Sequence, residues 1–169
     1  MAKLKINNAR WDGVPFIIEA GKALDKSCAE VRIKFRRPPG YTTMFGNFDI
    51  PNNELVLSIQ PDHIVKFNLN IKIPGFKTQP MMSSLNLNYA SQFPELTKTI
   101  PEAYTRLILD VLRGQNTTFV RDDELKASWS IFTPLLNILD STDCPKPYLY
   151  QYGSQRPIEA TSFLNKIVN

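Results

Sequence analysis

The sequence holds one histidine, two cysteines and seven glycines among its 169 residues, and each scarcity closes off a class of chemistry. No Gly-x-Gly-x-x-Gly run or relative of it occurs, so the chain lacks the dinucleotide-binding turn of a Rossmann-type fold. The histidine, His63, follows Pro61-Asp62 at the edge of a strand-like segment and reads as an exposed turn residue instead of a general base. No run of about 18 apolar residues is present, which excludes a membrane-spanning helix. Met1-Ala2-Lys3-Leu4-Lys5-Ile6-Asn7 alternates, unlike the charged-then-apolar pattern of a secretory signal. A soluble intracellular protein is expected, in an organelle the sequence does not name. Cys28 and Cys144 then read as two free thiols, and the sequon Asn116-Thr117-Thr118 as chance. No metal site is expected.

Positive charge is in mild excess, with a net charge of +4 and a pI near 9.1. Its densest cluster, Lys34-Phe35-Arg36-Arg37, reads as a solvated strand end, because the remaining cations are dispersed and no nucleic-acid motif accompanies them. A nucleic-acid partner is therefore not expected.

What the chain does contain is periodicity. Ala29, Val31, Ile33 and Phe35 alternate with Glu30, Arg32, Lys34 and Arg36, which gives a strand over residues 29 to 37. Leu55, Leu57 and Ile59 alternate after the turn-forming Pro51-Asn52-Asn53. The cleanest strand runs from Val65 to Ile73, and Leu85, Leu87 and Tyr89 give a fourth. Residues 3 to 8 and 14 to 18 predict two more. After Pro101 the period lengthens: Tyr104, Leu107, Ile108, Val111 and Leu112 follow helical spacing until Gly114. Asp122 is expected to cap a second helix with Leu125, Trp129, Phe132, Leu135, Leu136 and Leu139 on one stripe, kinked at Pro134. A third helix is expected from about Pro157 to Ile167. The class is α+β: one domain over residues 1–169, with a large antiparallel sheet and helices packed on one of its faces. The other face, rich in Asn, Lys and Ser, suits water or a polar interface.

Several runs carry a family resemblance. Arg10-Trp11-Asp12-Gly13-Val14-Pro15-Phe16, Gly21-Lys22-Ala23-Leu24 and Ala29-Glu30-Val31-Arg32 resemble the opening of the carboxy-terminal domain of glucose-6-phosphate dehydrogenase. Pro101-Glu102-Ala103-Tyr104, Ile131-Phe132-Thr133-Pro134-Leu135-Leu136 and Tyr152-Gly153-Ser154 continue the likeness in the same order. The resemblance implies a domain that contributes substrate contacts and dimerises through its sheet. In many eukaryotic members this domain also holds a second, structural NADP. The Rossmann-like domain with the catalytic NADP, and the catalytic histidine, belong to a half that these residues do not resemble. No catalytic residue is assigned here.

The same resemblance makes Lys22 the candidate contact to a sugar phosphate, although the arginine expected five positions on is Ser27. It makes Arg32 and, less directly, Arg156 candidates for the structural NADP. Glu19, Cys28, Ser58 and Gln155 stand where that nucleotide would meet cations, and Asn86 where it would meet an aspartate. Each missing cation removes about 1.5–3 kcal/mol of charged hydrogen bonding. No cofactor is therefore expected on this chain. Kept packing residues beside lost ligands favour a non-catalytic homologue, a structural or assembly subunit with a protein partner or a second copy on its sheet face. The alternative is a fragment of a working glucose-6-phosphate dehydrogenase of the pentose phosphate pathway, and NADP is the cofactor under that reading.

Overall fold

The computed structural model describes residues 1–46, 50–76, 79–98 and 100–168. It divides into two compact units, Met1–Lys26 with Pro101–Asn169, and Ser27–Ile100.

The second unit is built on an antiparallel meander. Strands β3 (Ala29–Lys34), β4 (Glu54–Gln60), β5 (Ile64–Lys72) and β6 (Pro80–Asn88) lie side by side in chain order. Alternation fixes the register, because a slip by one residue would exchange the faces. Val31, Leu57, Val65 and Leu87 form one row across the strands, and Ile33, Leu55, Phe67 and Leu85 form the next. Phe35 packs edge-on against Phe67 at 5.7 Å between centroids. The opposite face carries Arg32, Val56, Lys66 and Asn86 in one row and Lys34, Glu54, Asn68 and Ser84 in another. This is the polar face that the alternation foretold.

Short helices occupy the ends of the sheet. Helix α1 (Tyr41–Phe45) lies in the loop between β3 and β4. The Tyr41 hydroxyl there accepts the Ile50 N–H at 3.2 Å and donates to the Ile50 carbonyl at 3.3 Å. Beyond β6, Asn88 caps α2 (Tyr89–Gln92), its Oδ1 accepting the N–H groups of Ala90 and Ser91. Helix α3 (Pro94–Thr97) follows. The fourth strand thus starts earlier than its apolar alternation suggested, and Tyr89 opens a helix instead of closing a strand. The side-chain cap at Asn88 supplies the reason.

The first unit joins the chain's beginning to its last two-fifths. Strands β1 (Ala2–Leu4) and β2 (Phe16–Ile18) pair only with each other among the described residues, Ala2 facing Ile18 and Leu4 facing Phe16. The loop between them is closed by Trp11, whose ring packs edge-on to Phe16 at 5.2 Å and whose backbone N–H donates to Asn8 Oδ1 at 2.9 Å. Helices α4 (Ala103–Leu112), α5 (Asp122–Leu139) and α6 (Ile158–Val168) complete it. Gly114 ends α4 region at φ +69°, the left-handed conformation that glycine adopts without a Cβ penalty.

Asp122 does not cap α5. Arg121, extended at φ −74° and ψ 155°, holds the cap position, and Asp122, Asp123 and Glu124 fill the first turn. Carboxylates there answer the positive end of the helix dipole, and Asp123 also takes two hydrogen bonds from Arg121, at 3.0 and 2.8 Å. The helix continues through Pro134 to Leu139. The α+β class and the antiparallel sheet are as the sequence indicated.

Candidate functional site

Lys22 lies in a short irregular loop that is laced to residues 150–156. The Tyr150 hydroxyl donates to the Lys22 carbonyl at 2.8 Å, across 128 residues of sequence. The Gly153 N–H donates to the Ala23 carbonyl at 2.8 Å, and the Asp25 N–H to the Ser154 carbonyl at 3.1 Å. Leu24 and Ser154 form an isolated parallel bridge. The Lys22 side chain itself is exposed.

The loop is strained as well as tethered. Ala23 has φ +56°, the one non-glycine residue with positive φ among those described. Such a conformation costs on the order of 1 kcal/mol or more and persists only where the surroundings impose it. Gly21 accommodates the tight turn beside Leu24, since a Cβ on it would stand 2.9 Å from Leu24 Cδ1. At the loop's near end, Arg156 Nε meets Glu19 Oε1 at 3.1 Å, with about a third of each side chain exposed. Two positions named for a nucleotide thus neutralise each other.

Arg32 belongs to the other unit, on the polar face of β3. Its guanidinium bonds Glu30 at 2.6 Å and Glu54 at 3.4 Å. The hydrogen bond to Glu30, then the charges of Glu30 and Glu54, raise its pKa above the ordinary arginine value against a lowering by partial burial. Arg32 is therefore a fully charged group already satisfied by two carboxylates. Lys22 and Arg156 stand on the same two laced segments of the first unit, and Arg32 belongs to the sheet of the second.

His63 is exposed, and its carbonyl accepts the Tyr89 N–H at 3.1 Å. Cys28 and Cys144 are free thiols. Among the described residues no group of three His, Cys, Asp or Glu side chains could hold a metal, and no helix is long and apolar enough to cross a membrane. A cavity of about 690 Å³ opens between the segment that follows β3, α1 and the ends of β5 and β6, lined in part by Arg36, Tyr41, Ile50 and Lys72. None of the candidate residues lines it. Sequence reasoning missed Tyr150 and the strain at Ala23, because neither a pairing across 128 residues nor a backbone angle leaves a local pattern.

The family model for the carboxy-terminal domain of glucose-6-phosphate dehydrogenase matches residues 1–168. The chain belongs to the glucose-6-phosphate dehydrogenase family. It is 47% identical over 161 residues to glucose-6-phosphate 1-dehydrogenase of Hanseniaspora uvarum, covering 95% of this chain and 31% of that enzyme. It is 49% identical over 159 residues to the Aspergillus niger enzyme, covering 94% of this chain and 30% of the relative. A solved glucose-6-phosphate dehydrogenase in complex with glucose 6-phosphate superposes with a TM-score of 0.84 at 45% identity, covering 98% of this chain and 33% of that one. The chain thus spans about a third of the length of the relatives it matches. Relatives at this identity carry the names of enzymes, and nothing among them supports the non-catalytic reading that the altered cation positions favoured.

Proposed function

We propose that this chain is the sheet-and-helix part of a working glucose-6-phosphate dehydrogenase, which oxidises C1 of glucose 6-phosphate with NADP as hydride acceptor. The observation that carries this is the collinear match of residues 1–168 to that enzyme's carboxy-terminal domain, at 45 to 49% identity to proteins named as the enzyme. The hydride acceptor and the base that takes the hydroxyl proton fall to the nucleotide-binding part of the protein, which these 169 residues do not resemble.

In this reading Lys22 makes a charge-assisted hydrogen bond to the sugar phosphate. Its exposure leaves the ammonium available, and Ser27 in place of an arginine leaves it with a larger share of the grip. Arg32 and Arg156 are a different matter. To take a nucleotide phosphate they would first release Glu30, Glu54 and Glu19, so a second NADP on this chain would be weakly held. The sheet offers an exposed apolar face, with Leu85 66% and Val31 46% exposed, which suits a second copy or the enzyme's other part.

The test is a chimera in which this chain replaces the matching third of the Aspergillus niger enzyme. Losing one charged hydrogen bond worth about 1.5–3 kcal/mol corresponds to roughly ten- to hundred-fold. Lys22→Ala is accordingly expected to raise the KM for glucose 6-phosphate at least about ten-fold and leave the KM for NADP unchanged. Equal KM values for wild type and variant would remove Lys22 from the site.

A further inference from the structure

We infer that Tyr150 is a positioning residue for the substrate's phosphate, holding Lys22 in place by tethering its main chain. The inference rests on the reading of Lys22 as the phosphate contact. The loop from Gly21 to Asp25 has no helix and only one isolated bridge, and Ala23 within it sits at a strained φ of +56°. A loop in that state keeps its shape only if something outside it imposes the shape.

The imposition comes from residues 150–156. Gly153 and Ser154 use their backbones, bonding Ala23 and Asp25 on the far side of Lys22. Arg156 pins Glu19 on the near side. The Tyr150 hydroxyl makes the bond that falls on Lys22 itself, donating to its carbonyl at 2.8 Å.

A lysine ammonium rides on four methylenes, so its reach is broad and its aim is set by where its Cα is held. With the tether, the cation is offered close to its binding geometry. Without it, ordering the loop becomes a cost of binding the phosphate. Because the phosphate is remote from C1, the loss appears as uniform binding: KM for the sugar phosphate rises and kcat holds.

The experiment uses the chimera with Tyr150→Phe, and with Tyr148→Phe as control, since Tyr148 is 67% exposed two residues away. For Tyr150→Phe the KM for glucose 6-phosphate is expected to rise about five-fold, with kcat and the KM for NADP within about two-fold, and Tyr148→Phe to leave all three unchanged. An unchanged sugar-phosphate KM, or a joint change of both KM values, overturns the inference while leaving the enzyme reading intact. If the wild-type chimera has no turnover, the enzyme reading fails, and amide exchange in the full chain decides the tether. Exchange at Asp25 and Gly153 accelerated at least about ten-fold by Tyr150→Phe, relative to α5 amides, supports the tether. Unchanged exchange overturns it.

Discussion

The Ser154 hydroxyl is buried and bonds to nothing among the described residues, while the carbonyl of the same residue holds Asp25. A buried hydroxyl without a partner costs about 1–3 kcal/mol, so the side chain contributes nothing that the backbone does not already provide. Ser154→Ala is expected to be neutral or to raise the urea midpoint slightly. A loss above about 1 kcal/mol would show that the hydroxyl has a partner in solution. The ion pairs of Arg32 and Arg156 belong to the same scale. Both arginines were legible as cations, and the resemblance gave them a ligand. Glu30 shares a strand face with Arg32 and was legible beside it, but Glu54 lies 22 residues from Arg32, and Glu19 reads from sequence only as a reversed charge. Two side chains about a third exposed contribute modestly, typically under about 1 kcal/mol, so the Glu19–Arg156 pair serves position more than stability.

Among the elements, the sheet was the most legible, because alternation in β3, β4 and β5 states both the strand and its faces. The ends were less so. Asn88 belongs by pattern to a strand, yet its side chain accepts two N–H groups and turns the chain into α2. Asn88→Ala is expected to cost about 1 kcal/mol, read as a lower denaturant midpoint with the β5 and β6 amides exchanging faster. No change would mean that the helix is held by its surroundings and not by the cap. The pairing of β1 with β2 escaped the sequence for another reason. Three-residue strands carry too few alternations to say which neighbour they join. Helix α5 was readable from its stripe, though its cap was misassigned by one residue, since a carboxylate suits both the cap and the first turn.

At the scale of the whole molecule, the apolar inventory is ample but poorly covered. Of the large hydrophobic side chains described, Ile50 and Val56 are the buried ones, whereas Leu85, Ile108, Leu112 and Trp129 are each more than half exposed. The fold class was legible because periodicity reports secondary structure directly. Activity was not, because the altered positions Ser27, at the sugar phosphate, and Glu19 and Cys28, at the second nucleotide, concern the grip on ligands and say little about catalysis. The most direct measurement is NADPH formation from glucose 6-phosphate by the purified chimera carrying this chain. A kcat within about ten-fold of the parent enzyme's is expected. A folded chimera no faster than the parent stripped of its carboxy-terminal third would contradict the enzyme reading.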